Sequence, residues 1–197
     1  MIHFSNIGDL LTVVVLSYME GYTLSDGPLE TLDGESRSFH FIVTGRAPVQ
    51  SRPRFYRGRN GFIPRAYDPS SAQKLAFTSC VQQAFVGFDV DSFRDNARTK
   101  RRGVVLDAVF WEVRPRSHFR PNGRLLEGVP EFPPKRDVDN QLKFVMDSLS
   151  GIFYSNDSCV RRGIAEKRYF PDLHVPIDAP AQERQASSSV EIVLRSF

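Results

Sequence analysis

The stretch that most constrains this chain runs from Lys135 to Leu149, Lys-Arg-Asp-Val-Asp-Asn-Gln-Leu-Lys-Phe-Val-Met-Asp-Ser-Leu. Val138, Leu142, Val145 and Leu149 recur at spacings of four, three and four, which predicts a helix over about 138–150 with one apolar stripe, widened by Met146. Gly151 stops it. Asp137 and Asp139 bracket the helix start, with Asn140 beside them. Either acid can cap the free amides of the first turn. The positive end of a helix stabilises only a limited negative charge, however, and a divalent cation relieves the repulsion better. Hard ions such as magnesium take carboxylate oxygens as ligands. The residues alone leave both readings open.

Asp139, Lys143 and Asp147 are each four apart and share the face opposite the Val138 stripe. They read as ordinary pairs on a solvated face. Alternatively Lys143 stands beside a metal-bound phosphate, where its ammonium stabilises the phosphoryl oxygens or a leaving alkoxide. Asp157, in Tyr154-Ser155-Asn156-Asp157-Ser158, follows Asp139 by 18 residues. A helix, a glycine turn and a return strand bring it back toward the helix start, although such a segment is also common turn composition.

The rest of the chain reads as one domain with an appendage. Leu10 to Tyr18 has strand composition and Gly21 to Gly34 reads as a loop, so residues 1–37 are a variable N-terminal extension, either paired with the main sheet or disordered, and 38–197 the main domain. Ser38 to Thr44 predicts a strand. Residues 46–65 predict a basic arm with a hairpin whose strands end near Tyr56 and Phe62. Asp68 and Pro69 start a helix over about 69–86, with Leu75, Thr78, Val81 and Phe85 on its inner face and Ala76, Cys80 and Ala84 adjoining. Residues 92–103 are polar and basic. Val104 to Val113 reads as a central strand buried on both faces, and Arg114 to Pro133 as an irregular segment. Ser158 to Phe170 and Ser188 to Leu194 read as two strands paired with each other.

Net charge is only +3, too mild by itself to imply nucleic acid, but the charge is unevenly placed. The arm carries Arg46, Arg52, Arg54, Arg57, Arg59 and Arg65 without an acidic residue. Arg101 and Arg102, then Arg114 and Arg116, extend the set. Such arginines position a nucleic-acid backbone without reading its sequence. Cys80 and Cys159 are 79 positions apart and read as free thiols. The longest apolar run, Leu10 to Leu16, is too short to span a bilayer and lacks a basic flank, so neither a membrane span nor a targeting segment is expected, and the chain is expected to be cytoplasmic.

The segment from Asp137 to Asp157 resembles the signature of the RusA-like Holliday junction resolvases, crossover junction endodeoxyribonucleases. The matching positions are Asp137, Asp139, Asn140, Lys143, Asp147 and Leu149, then Tyr154 and Asp157. Gly45-Arg46-Ala47-Pro48 with Arg52-Pro53-Arg54, Tyr67-Asp68-Pro69 and Arg114-Pro115-Arg116-Ser117-His118-Phe119 resemble further family segments in the same order. The chain departs from the family pattern at Arg136, often proline, at Asn156, usually an acid, and at Cys159, usually glutamine.

The resemblance implies a two-layer α+β fold with a mixed β-sheet and helices packed on one face. It implies a homodimer that binds branched DNA, with a nucleoid-associated or phage-encoded setting. It further implies a magnesium-dependent endodeoxyribonuclease that resolves four-way (Holliday) junctions by paired phosphodiester hydrolysis, with manganese as the alternative ion. Asp137, Asp139 and Asp157 would hold the metal and, with Lys143, form the catalytic set. Asn140 and Asn156 would support them, and Asp147 would either support the ligands or form a salt bridge to Lys143. The competing readings are a structure-selective nuclease acting on flaps or forks, and a catalytically silent branched-DNA-binding protein.

Overall fold

The computed structural model of the protein describes residues 22–33, 36–45, 50, 54–56, 65–98, 103–170 and 188–196. Seven strands and three helices follow in the order β1 (Tyr22–Asp33), β2 (Ser36–Gly45), β3 (Arg54–Tyr56), β4 (Arg65–Tyr67), α1 (Ser71–Ala84), α2 (Val90–Arg98), β5 (Val104–Glu112), α3 (Val138–Leu149), β6 (Val160–Tyr169) and β7 (Ser189–Ser196). Five strands form one mixed sheet in the order β1-β2-β7-β5-β6, and β3 pairs with β4 as a separate ribbon. The helices lie on one face, giving the expected two-layer α+β architecture.

Burial explains the layering. Phe39, Phe41 and Val43 of β2, Val104, Leu106, Ala108 and Phe110 of β5, and Val190, Ile192 and Leu194 of β7 alternate inward beneath the helices. Asp107, Val109 and Trp111 point the other way and are only half-buried, so β5 is central but not enclosed on both faces as its composition predicts. The helix-side core is unusually aromatic. Phe39, Phe41, Phe85, Phe93 and Phe153 meet in edge-on, tilted and stacked ring contacts, with Phe153 4.9 Å from Phe85, 5.6 Å from Phe39 and 5.9 Å from both Phe41 and Phe93.

Several expectations need correction. The stretch Gly21 to Gly34 is not a loop: residues 22–33 form β1, an antiparallel edge strand on β2. Its register shifts between Leu24 and Asp26 and between Asp26 and Leu29, which accommodates Gly27 and Pro28 in a strand. Leu10 to Tyr18 lies outside the described residues. Part of the polar stretch 92–103 belongs to α2, held by a fully buried Phe93. On α1 the inner face is Ala76, Phe77, Cys80, Val81 and Ala84, and Leu75 is exposed. Asp68 does not cap that helix. It closes the preceding turn by accepting the Ser70 backbone N–H at 2.9 Å, and Ser70 stands at the cap.

The largest correction concerns β6. It does not pair with β7. Both flank β5, β7 antiparallel and β6 parallel. A parallel neighbour requires a crossover, and α3 supplies it. The helix therefore runs back across β5 and β6. At its start, Lys167 Nζ of β6 donates to the Arg136 carbonyl at 2.9 Å and Arg136 pairs with Glu112 of β5 at 3.3 Å. Further along, Leu142 packs over Gly163. Gly151, with φ of +84°, turns the chain at the helix end.

Gly103, at φ +64°, is the other glycine the fold demands. A Cβ there would stand 3.2 Å from the Cys159 carbonyl and 3.0 Å from Arg161 Cβ, against the turn that carries Asp157. Gly103→Ala is expected to cost about 1–3 kcal/mol, from left-handed backbone and crowding together. Urea melts of the two proteins check this, and equal midpoints would contradict it.

Candidate active site

The centre is built on α3 and on the turn that follows it. Val138, Leu142 and Met146 pack against the core, and Phe144, Val145 and Leu149 are buried, so the helix has little freedom to rotate. That leaves Asp139, Lys143 and Asp147 outward, as their spacing predicts. After Gly151, the buried run Ile152-Phe153-Tyr154 returns the chain along the helix, and the Tyr154 hydroxyl donates to the Met146 carbonyl at 2.8 Å. Burial, then the nearby Asp147 and Asp157 charges, push the Tyr154 pKa far up, so it stays a neutral donor. A short 3-10 turn, Asp157–Cys159, comes next. Asn156 caps it, its Oδ1 accepting both the Ser158 amide at 3.0 Å and the Ser158 hydroxyl.

This path delivers Asp157 to Lys143. Lys143 Nζ donates to Asp157 Oδ2 at 2.6 Å and pairs with Asp147 Oδ1 at 2.9 Å. The meeting point is one helical turn beyond Asp139, not at the helix start. Asp147 is itself shared: its Oδ2 accepts from Lys74 of α1 at 3.0 Å, and Lys74 also donates to Asp68 Oδ2 at 2.8 Å. The result is a chain of alternating charge, Asp68, Lys74, Asp147, Lys143, Asp157.

The charges shift one another. Hydrogen bonds that Lys143 donates to Asp157 and then to Asp147 hold its ammonium above its ordinary pKa. Burial opposes the charges of Lys74 and Asp147, but their mutual hydrogen bonds and those to Asp68 and Lys143 outweigh it, raising the lysine and lowering the aspartate. The Lys74 hydrogen bond lowers Asp68 as well. A depressed carboxylate contributes stability above its unfolded pKa, near 4, and loses it as pH falls through the folded value; a raised lysine contributes below about 10.4 and loses it as pH rises further. The stability gap between the protein and its Asp147→Asn variant is therefore expected to narrow from pH 7 to pH 3 in urea melts. A gap that stays constant would contradict the network.

At the helix start, Asp137 is the cap residue. Its Oδ2 accepts from Asn140 Nδ2 at 3.3 Å and its carbonyl from the Gln141 amide at 3.2 Å. Asp137 and Asp139 are exposed and, among the described residues, have no basic partner. Among the described residues, no three acidic, histidine or cysteine side chains stand together in an arrangement that could hold an ion. The donor chemistry nevertheless sorts the acids. Asp147 has both oxygens committed to lysines, whereas Asp157 commits only Oδ2, and Asp137 and Asp139 keep open oxygens. Exposed carboxylate oxygens of this kind suit a hard, hydrated cation.

The basic residues divide. Arg46, Arg52, Arg57, Arg59, Arg101 and Arg102 lie outside the described residues. Arg54 and Arg65 sit on the β3–β4 ribbon, where Arg54 opposes Tyr67 and Arg65 opposes Tyr56. Arg114 is committed to the fold: it donates to the Pro130 carbonyl at 2.9 Å and covers the Tyr169 ring at 4.3 Å. Arg116 is exposed. The Gln50 amide donates to the Asn140 carbonyl at 3.3 Å, which places Gln50 at the first turn of α3. Exposed Arg161 and Arg162, directly after the Asp157 turn, were not singled out by sequence, though their position beside that aspartate was the available signal.

The family model of the endodeoxyribonuclease RusA matches residues 45–178, more than half of the chain and all of the centre just described. The chain belongs to the RusA family. Comparison with curated proteins found no match. The RusA match begins at the end of β2 and so leaves β1 outside it. Among the described residues, no helix is long and apolar enough to cross a membrane.

Proposed function

We propose that this RusA-family chain is a magnesium-dependent endonuclease that resolves four-way DNA junctions as a homodimer, with residues before Ser38 acting as an extension of the domain. The observation that carries the reading is Lys143, shared by Asp147 and Asp157 one turn beyond Asp139, with the open carboxylate of Asp137 at the same helix start. In this reading Asp137, Asp139 and Asp157 hold one or two magnesium ions, or manganese in their place. A bound ion there supplies Lewis acidity at the phosphate and a water of lowered pKa.

The chain's own groups do the rest. Water oxygen forms the new bond to phosphorus as the bond to the 3′-oxygen breaks, leaving a 5′-phosphate and a 3′-hydroxyl. Lys143 stays protonated at neutral pH. It has three N–H donors and, among the described residues, commits two to Asp147 and Asp157, which leaves the third for a phosphoryl oxygen as charge develops. Asp147, saturated by two lysines, steadies Lys143 and takes no part in metal binding. Asn140 holds Asp137, and Asn156 shapes the turn beneath Asp157. The arginine-rich arm and Arg116 hold the DNA backbone, which makes binding fall steeply with salt. Two subunits related by a two-fold axis match a junction of near two-fold symmetry.

The test compares a synthetic mobile junction, a flap and a linear duplex, each with and without magnesium. The proposal expects paired, symmetric nicks on the junction alone, and only with the ion. Cuts on all three substrates would favour a less selective nuclease. A junction that is shifted on a gel but never cut, with magnesium or manganese present, would overturn the enzyme reading.

A further inference from the structure

We propose that Lys74 of α1 is the positioning residue for Lys143, acting through Asp147; its functional importance rests on the nuclease reading above. Lys74 lies 69 positions before Lys143 in sequence and carries no sequence signal of a role. In the fold it is three-quarters buried or more, with 19% of its side chain exposed, and its ammonium bridges Asp68 at 2.8 Å and Asp147 at 3.0 Å. Lys143 is more exposed, at 45%, and its pair with Asp157, exposed at 47%, lies in a solvated region where an isolated ion pair is worth little. Such a pair does not hold a flexible lysine by itself. What holds it is Asp147, and Asp147 is held by Lys74.

The division of the Asp147 carboxylate is the key geometry. Oδ2 faces Lys74 and Oδ1 faces Lys143, so the two lysines fix the carboxylate plane between them. Asp68 anchors the far side of Lys74, and Asp68 is itself fixed by the Ser70 amide and hydroxyl at 2.9 and 2.8 Å. The series runs from a rigid turn before α1, across the α1–α3 contact, to the outward face of α3. Without Lys74, Asp147 keeps Lys143 as its basic partner and its Oδ2 is released. It then draws Lys143 toward itself and away from Asp157, and Oδ2 becomes a competing oxygen for any divalent cation nearby. Lys74 therefore does two things: it aims Lys143, and it removes Asp147 from the set of available ligands.

The test uses the full chain with Lys74→Met, Lys74→Arg, Asp147→Asn and the double variant Lys74→Met/Asp147→Asn, each checked for folding by circular dichroism. The direct readout is the Lys143 ammonium signal in proton–nitrogen NMR, assigned by its loss in Lys143→Arg. Lys74→Met is expected to shift or broaden that signal, and Lys74→Arg to keep it close to the parent position. A Lys143 signal unmoved in a folded Lys74→Met protein would overturn the proposal.

The second readout is junction cleavage. Lys74→Met is expected to lower kcat about 10–100-fold with KM and junction affinity unchanged, in the manner of an outer residue that orients an inner one. The double variant is expected to lose no more than Asp147→Asn alone, because both changes break one series. Losses that multiply would show Lys74 acting independently and would overturn the proposal. If the unsubstituted chain cuts no DNA, the nuclease reading falls, and the Lys143 signal still decides what Lys74 does.

Discussion

Asp139→Asn is expected to lower junction cleavage by more than about 100-fold, the scale of losing a group that acts on the developing charge, while leaving junction binding at a given salt concentration nearly unchanged. The asymmetry follows from position. Asp139 lies on the exposed face of α3, buries nothing and, among the described residues, has no basic partner, so the substitution disturbs neither the core nor an ion pair. Removing a negative charge beside a DNA phosphate also does not weaken the electrostatic attraction that governs affinity. Gel shifts and cleavage time courses on the same junction separate the two effects. A variant that cuts at the parent rate would show that Asp139 is only part of a helix start.

The second large effect is on stability. Phe153→Ala is expected to cost about 3–5 kcal/mol, a substantial share of the roughly 5–15 kcal/mol that holds a domain together. Phe153 is fully buried, and its ring contacts Phe39, Phe41, Phe85 and Phe93, from β2, the end of α1 and α2. The melting temperature should fall by about 6–20 °C. The same substitution loosens the short path from the end of α3 to Asp157. Junction cleavage below the melting range should therefore fall more than junction binding does. A calorimetric loss under about 1 kcal/mol would mean that the ring cluster repacks freely, against the usual cost of such cavities.

The helix that carries the centre was legible because its stripe is regular and its end is marked by a glycine. Its role as the β5–β6 crossover was not. Alternation in residues 160–169 and 189–196 identifies two strands but says nothing of their neighbours, and only the three-dimensional path of α3 makes β6 parallel to β5. That the N-terminal extension pairs with the sheet was only one of two open readings, for a local reason. Gly27 and Pro28 read as turn residues, and they are admitted to a strand only because it lies at a sheet edge and shifts register where they occur. α2 was hidden by its composition, since one buried ring, Phe93, holds an otherwise polar helix to the core.

The site divides in the same way. Asp137, Asp139, Lys143 and Asp147 were legible because helical spacing is local. The contact of Asp157 with Lys143 was anticipated only in outline, because it depends on how tightly Ile152-Phe153-Tyr154 folds back. Lys74 was not legible at all, and Asp68 only as the start of a helix. A lysine on the outer part of a helix and an aspartate in a turn are ordinary surface features until a second helix brings Asp147 against them.

Diffraction from crystals of the protein bound to a four-way junction and soaked in manganese tests the central claim most directly. The account predicts an anomalous peak within about 2–2.5 Å of carboxylate oxygens from Asp137, Asp139 and Asp157, with Lys143 beside the scissile phosphate. A well-ordered complex with Asp157 more than roughly 10 Å from both other aspartates, and manganese bound elsewhere, would contradict it.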